Sequence, residues 1–260
     1  MSNRGVPHGE SMADTPTRKK SPERAPQKRG FVGFLKHRHD PLTSLLLTIP
    51  IFLLYHLGIL LIQLRNGVDL VSGLTFELLE HSLLGYVGLT LGYAAAIAGA
   101  AWWLRRKGKI RPTEWLPVLG ESVVLALLMS FTVGWATHQL FDWQAGPPAM
   151  NPLEKLVMAA GAGFHEELVF RVGLFAGGTW ALHRGLKMKE WKAALIAGLV
   201  SSVIFSGIHY VGSFGDPFRL DSFFFRALAG VYLAAVYRFR GFAVAVYTHT
   251  IYDLIVFFLR

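Results

Sequence analysis

Ionisable side chains occur inside strongly apolar stretches in the C-terminal part of this chain, and six of them form ordered clusters. They are Glu166, Glu167, Arg171, His209, His249 and Asp253. A charge at the centre of a membrane helix costs about 2.5–3.5 kcal/mol, so each one placed there suggests a function. Carboxylates and imidazoles together can activate a water molecule and stabilise an oxyanion without a metal, which is the chemistry of hydrolysis.

The spacing of these residues predicts two pairs on helices. Glu167 and Arg171 are four residues apart, so they share a face, with the acid on the favourable N-terminal side. Glu166 lies roughly 100° further round the helix and needs a different partner, such as a histidine. His249 and Asp253 are also four residues apart, so the carboxylate can accept a hydrogen bond from a ring nitrogen and fix the tautomer.

Three ordered motifs in these segments resemble those of the CPBP family, the glutamic intramembrane proteases that include type 2 CAAX prenyl endopeptidases and bacteriocin-processing proteins. The motifs are Glu166-Glu167-x-x-x-Arg171, Phe205-x-x-x-His209 and His249-x-x-x-Asp253, and the resemblance covers about residues 150–260. The catalytic residues that it implies are Glu166, His209, His249 and Asp253, and the structural or positioning residues are Glu167, Arg171 and Phe205. In this interpretation Glu166 and His209 activate water, and His249 with Asp253 forms the oxyanion site.

The last motif residue departs from the family pattern. CAAX-cleaving members typically have Asn there, which can donate a hydrogen bond, whereas an ionised Asp253 can only accept. Either Asp253 is protonated, or it orients His249 and the imidazole donates alone. The spacing of the two residues favours the second alternative.

Metal chemistry has weaker support in the sequence. His165 precedes the two acids, but Val169 occupies the position that a second histidine would need in the HExxH zinc motif. The chain has no Cys, which excludes a thiolate nucleophile and Cys-ligated metals. We therefore predict no metal and no cofactor, with three converging His or carboxylate ligands on zinc as the alternative. His56 is predicted to face lipid headgroups, and Arg226 either to snorkel or to meet a substrate carboxylate.

Composition indicates which elements must position these residues. The chain is 52% hydrophobic and only 17% charged, against about 25% charged for soluble domains. It is predicted to be an all-α, polytopic transmembrane helical bundle with about seven spans. The spans are expected near 43–63, 82–104, 116–140, 153–175, 191–210, 223–237 and 242–259, and an amphipathic helix at the membrane interface is expected over 68–81.

Charge distribution divides the chain into two parts. Residues 1–40 carry nine Lys or Arg against four acids, a net +5 of the formal +9, and are predicted to be a disordered basic cytoplasmic tail. Residues 41–260 are expected to form a single transmembrane domain, with the protease-like core at about 150–260. Basic loops alternate with nearly neutral ones, which places the N-terminus in the cytoplasm and suggests a bacterial inner (plasma) membrane.

These observations predict an intramembrane endopeptidase that cuts a peptide bond near a membrane-embedded or lipid-modified segment. Its expected partners are the lipid bilayer and a membrane-anchored or tail-bearing protein substrate, for example one with a C-terminal sorting tail, and not a nucleic acid. Two alternatives remain open. One is a non-catalytic immunity or scaffold protein of the same family, and the other is a proton-coupled transporter that uses the buried acids and histidines as a relay.

Overall fold

The structure is a computed structural model that describes residues 41–62, 64, 66–69, 82–106, 115–141, 150–211 and 215–259. Its regular elements in these ranges are all helical, as predicted. They are α1 (Pro41–Leu47), α2 (Ile49–Gly58), α3 (Leu83–Arg106), α4 (Trp115–Leu140), α5 (Pro152–Gly161), a π-helical segment (Ala162–Ala176), α6 (Gly177–Gly185), α7 (Glu190–Ile208), α8 (Leu220–Arg240) and α9 (Phe242–Leu259). The described residues all lie in one compact unit, His37–Arg260.

Four helices of the described part, α4, α7, α8 and α9, are long and apolar enough to cross a bilayer. The chain is therefore an integral membrane protein, but the predicted count of about seven spans is not confirmed. The first predicted span, 43–63, is interrupted at Thr48, between α1 and α2. Pro50 in the first turn of α2 explains the break, because proline lacks an N–H and its ring clashes with a preceding helical carbonyl.

The fourth predicted span, 153–175, is part of a longer composite helix made of α5, the π segment and α6. Asn151 caps its start, because the Asn151 side chain accepts from the backbone of Glu154 and the Glu154 side chain accepts from the backbone of Asn151. The π segment that follows runs for 15 residues. Such widened helical turns are rare and often occur at functional sites.

The last helix, α9, is the most buried of the four candidate spans. It packs against α4, α5, the π segment and α8. Gly163 permits the contact with the π segment, because a Cβ at this position would overlap the Thr250 side chain and lie 2.9 Å from the Val246 carbonyl oxygen. A residue without a side chain at this position therefore lets the two helices approach closely.

Two sequence predictions concern residues that the structure does not describe. The basic tail, residues 1–40, lies outside the described residues, as do 70–81 of the expected interfacial helix. The two described residues at the start of that stretch, Val68 and Asp69, are not helical, and Asp69 is buried. For Asp69, the predicted location on an interfacial helix is therefore wrong.

Candidate active site

The π segment carries three buried charged residues that belong to one motif. Glu167 and Arg171 are fully buried and form the ion pair that their spacing predicts, with 3.1 Å between Glu167 Oε2 and Arg171 Nε. Among the described residues, the guanidinium nitrogens make no hydrogen bond of good geometry. Charge attraction therefore holds the pair, aided by the face of Phe205, whose ring centroid lies 5.0 Å from Arg171 Cζ.

His249 on α9 connects this ion pair with the other carboxylates. Its Nδ1 lies 3.0 Å from Glu167 Oε1, within hydrogen-bond distance. An ionised carboxylate can only accept, so this contact places the proton on Nδ1 and turns Nε2 toward the remaining acids. Nε2 lies 3.9 Å from Glu166 Oε2 and 3.7 Å from Asp253 Oδ2. Both separations exceed the length of a direct hydrogen bond.

The residue that orients the His249 ring in this geometry is Glu167, and not Asp253 as its spacing predicted. The spacing of Asp253 from His249 predicted that it would fix the imidazole tautomer, whereas the residue within hydrogen-bond distance of Nδ1 is Glu167. The two acids approach different ring nitrogens, since Asp253 lies nearest to Nε2. Helical spacing shows which residues share a face of one helix. It cannot show whether an acid on a neighbouring helix lies closer to the ring nitrogen.

Glu166 has a partner that the sequence did not reveal. The Asn66 side chain donates from Nδ2 to Glu166 Oε1 at 2.8 Å. Two further hydrogen bonds fix the orientation of Asn66: its Oδ1 accepts from the Val68 N–H at 2.9 Å, and its own N–H donates to the Tyr55 hydroxyl at 3.0 Å. Asn66 lies 100 residues before Glu166, outside every motif, so no local pattern could have identified it.

His209 ends α7 and lies apart from the two acids. Its Nδ1 is 2.8 Å from the Phe205 carbonyl oxygen, so Nδ1 donates and Nε2 is left to accept. Within the described residues, no hydrogen bond or ion pair joins His209 to Glu166. The Phe205 ring contacts both histidine rings, at centroid distances of 5.2 Å to His209 and 6.1 Å to His249.

The comparisons with known proteins bear on this arrangement. Residues 148–255 match the family model described as Type II CAAX prenyl endopeptidase Rce1-like. These residues form an Rce1-like domain. The match confirms the resemblance to CAAX endopeptidases and contains all seven motif residues. No curated protein and no solved structure shows significant similarity to the chain.

The Rce1-like family is a protease family whose members act on prenylated or membrane-anchored proteins. The domain in this chain thus indicates CAAX-type intramembrane protease activity in a membrane protein. Asn66 lies outside the matched segment. The Rce1-like domain therefore receives one hydrogen-bond donor for Glu166 from the N-terminal part of the chain.

A second polar cluster adjoins the first and also extends beyond the Rce1-like domain. It consists of His56 on α2, Asp69 in the following loop and His165 on the π segment, and we call it the His165 cluster. All three residues are buried, and one ligand atom from each lies within 4.8 Å of the others. The predicted headgroup location of His56 is therefore wrong, because this side chain is buried where α2 packs against α5 and the π segment.

Arg226 on α8 is paired within the protein. Its Nη2 lies 2.5 Å from Asp216 Oδ2, and its guanidinium carbon lies 5.2 Å from the Tyr210 ring centroid. Both contacts are with the segment that links α7 to α8. This arrangement gives Arg226 an intramolecular acid where the sequence suggested either lipid headgroups or a substrate.

Proposed function

We propose that this protein is an intramembrane endopeptidase in which Glu166 is the general base. The observation that carries the proposal is the asymmetric environment of this carboxylate. Asn66 holds Oε1 at 2.8 Å, while Oε2 faces Nε2 of His249 across 3.9 Å. One oxygen is thus fixed, and the other lies beyond hydrogen-bond distance of the ring, so it is the oxygen that can accept a proton from water.

In the proposed reaction, Oε2 of Glu166 takes a proton from water while the water oxygen attacks the carbonyl carbon of the scissile peptide bond. The C–N bond then breaks, and the proton held by Glu166 passes to the leaving amine. Asn66 keeps Glu166 in place during both transfers, because the Val68 N–H holds its side-chain oxygen and the Tyr55 hydroxyl holds its backbone N–H. Positioning of this kind contributes to rate by avoiding reorganisation.

His249 is the proposed donor to the oxyanion. Three carboxylates surround its ring, and Glu167 directs its Nδ1. An imidazolium in this position would be stabilised by all three acids and would present an Nε2–H to the developing negative charge. Asp253 approaches the same nitrogen and belongs to this oxyanion site. Glu167 and Arg171 have positioning roles, because their ion pair fixes the acid that orients His249.

His209 is the second proposed base. The Phe205 carbonyl accepts from its Nδ1, which leaves Nε2 as the proton acceptor. The apo geometry does not place His209 on Glu166, and catalytic contacts often tighten only when substrate is bound. Phe205 couples the positions of His209, His249 and Arg171 through ring contacts, which supports a positioning role for it.

The proposed substrate is a protein whose membrane-embedded or lipid-modified segment enters between helices. With the N-terminus in the cytoplasm, the site would open toward the non-cytoplasmic side of a bacterial inner membrane. A secreted protein with a C-terminal sorting tail, a helix followed by a basic cluster, would present its peptide bond there. The basic tail, residues 1–40, would stay in the cytoplasm near anionic headgroups, and residues 41–260 would act as one membrane domain.

The test compares cells that produce the wild-type chain with cells that produce Glu166→Gln. Membrane and secreted proteins are collected from both, and their C-terminal masses are compared by mass spectrometry. We expect at least one membrane-anchored protein to retain its uncut tail in the variant. Glu190→Gln is the matched control, because Glu190 is an exposed acid on α7 whose described partner is Arg238.

The outcomes separate the candidate functions. Identical termini in all three strains would contradict the protease proposal. Cleavage of a purified tail peptide in lipid vesicles that survives Glu166→Gln would contradict the role of this residue. Proton-driven uptake into vesicles containing the wild-type protein, without any cleavage, would instead support the transporter alternative.

A further inference from the structure

The His165 cluster has the composition of a metal site. Two imidazoles and one carboxylate converge from three elements: His56 from α2, Asp69 from the loop after it, and His165 from the π segment. Two histidines and one carboxylate form a common ligand set for catalytic zinc and for non-haem iron.

The separation of His165 and Asp69 is compatible with a shared metal ion. His165 Nε2 and Asp69 Oδ1 are 3.6 Å apart, which is too long for a hydrogen bond. Ligand atoms at about 2.0–2.1 Å from a tetrahedral zinc ion are separated by roughly 3.3–3.4 Å. The observed separation of the two ligand atoms is therefore close to that of two ligands on a tetrahedral zinc ion.

His165 supplies an independent indication of a ligand. Its ring is 1% exposed, and its Nε2 has no hydrogen-bond partner among the residues that the structure describes. This nitrogen is aimed at the centre of the cluster, toward Asp69. A buried polar atom without a partner is costly, and a bound cation would satisfy it through the nitrogen lone pair.

Residues around the cluster orient the ligands as outer partners do in metal proteins. The Tyr55 hydroxyl donates to Asp69 Oδ2 at 2.8 Å, which leaves Oδ1 turned toward His165. The ring of Tyr55 packs edge-on against His165 at a centroid distance of 4.9 Å. Phe52 lies 4.1 Å from the His56 ring by the same measure. Such partners raise metal affinity by fixing ring and carboxylate directions.

We propose that His56, Asp69 and His165 bind a divalent transition-metal ion, for which Zn²⁺ is the probe. The ion joins α2 and its following loop to the Rce1-like domain. It also fixes Asn66, because the Tyr55 hydroxyl that donates to Asp69 accepts the Asn66 N–H, and Asn66 in turn donates to Glu166. The ion is a structural tie beside the active site, and water activation by Glu166 does not depend on it in this proposal.

The test measures metal content and affinity in the purified full-length protein. The chain is extracted in detergent, stripped with a chelator, dialysed against Zn²⁺ and analysed by plasma mass spectrometry. We expect about one zinc ion per chain. Titration with Co²⁺ should give the visible absorption bands of a low-coordinate nitrogen and oxygen site. Iron in the protein as first isolated would support the site and change the identity of its natural ion.

Variants then assign the ion to this cluster. His56→Gln, Asp69→Asn and His165→Gln should each abolish stoichiometric binding, while His138→Gln, at an exposed position on α4, should bind like the wild type. Tyr55→Phe keeps the ring and removes only the hydroxyl, so we expect roughly 10- to 100-fold weaker binding. Circular dichroism and thermal melting of each variant in the same detergent establish that it is folded.

The result is distinguishable from a failure of the proposed protease. Glu166→Gln should lose cleavage and keep the metal, because Glu166 is not a ligand. A folded wild-type chain that binds no Zn²⁺ or Co²⁺ would overturn the metal proposal while leaving the protease test untouched. Retention of a full equivalent by folded His165→Gln would overturn it as well.

Discussion

Two polar clusters share the π segment but differ in where their residues come from. The Glu166 cluster consists of Glu166, Glu167, Arg171, His249 and Asp253, all within the Rce1-like domain. The His165 cluster takes only His165 from that domain and obtains its other two members from residues before it. Motifs that resemble those of a known family indicated the first cluster in the sequence. The second cluster has no such motif and becomes visible only in the structure.

Their charge balance also differs. The Glu166 cluster has three carboxylates around one buried guanidinium and one imidazole, so its acids outnumber its bases. The His165 cluster has one carboxylate and two imidazoles, a set that accepts a cation. Asn66 joins the two, since it contacts Glu166 directly and Asp69 through Tyr55. Single substitutions should therefore change peptide cleavage without changing metal binding, or the reverse.

Glu166→Gln should produce the largest effect and should be confined to the Glu166 cluster. Glutamine keeps the shape and can still bond with Asn66, but it cannot accept the proton of the attacking water. We expect kcat for a cleaved substrate to fall roughly 10²- to 10⁴-fold. The measurement is multiple-turnover cleavage in lipid vesicles with substrate in excess. An activity within a few-fold of the Glu190→Gln control would remove Glu166 from the mechanism.

Arg171→Met should test whether the ion pair supports this cluster. Methionine fills similar space but leaves Glu167 as an uncompensated buried charge, so we expect a loss of about 3–5 kcal/mol in stability. Thermal or denaturant unfolding in detergent gives this value. Arg238→Met is the matched control, because its pair with Glu190 is exposed and worth about 0–1 kcal/mol.

A double variant sharpens this prediction. Adding Glu167→Gln to Arg171→Met removes the stranded charge, so part of the lost stability should return. If the double variant is less stable than Arg171→Met alone, the carboxylate has stabilising partners other than the arginine. His249 is the partner that the geometry offers, at 3.0 Å.

The sequence predicted the parts of the molecule that depend on local spacing. Long apolar runs predicted an all-helical membrane protein, and the i, i+4 rule predicted the pair of Glu167 with Arg171. Contacts between distant segments had no such signal. The Asn66 side chain reaches Glu166 across 100 residues, and His56 looked isolated because its neighbours lie on other helices. Pro50 could have indicated the break at Thr48, but the surrounding apolar run predicted one continuous span.

Asn66→Ala should impair the Glu166 cluster and leave metal binding by the His165 cluster in place. A hydrogen bond to a charged group is worth about 1.5–3 kcal/mol, so kcat should fall roughly 10- to 100-fold if the amide holds Glu166 in its reactive position. KM should change little, because the proposed contact is with the base and not with substrate. Zinc binding should persist, since Asn66 is not a proposed ligand.

A comparison with Tyr55→Phe identifies which contact of Asn66 matters. Tyr55→Phe removes the hydroxyl that accepts the Asn66 N–H, and it leaves the amide contact with Glu166 available. Its effect on kcat should therefore be smaller than that of Asn66→Ala. Equal losses in the two variants would mean that the loop position, and not the amide donor, controls Glu166.

Two glycine variants with smaller effects separate the clusters by packing alone. A Cβ at Gly163 would press on Thr250 and displace α9, which carries His249, whereas a Cβ at Gly161 would press on the ring of Tyr55. Each overpacking should cost about 1–3 kcal/mol of stability. Gly163→Ala should mainly reduce cleavage, and Gly161→Ala should mainly weaken Zn²⁺ binding. If both variants reduce cleavage and Zn²⁺ binding in the same proportion, the two clusters move as one rigid unit. Only substitutions of the proposed ligands could then change Zn²⁺ binding without changing cleavage.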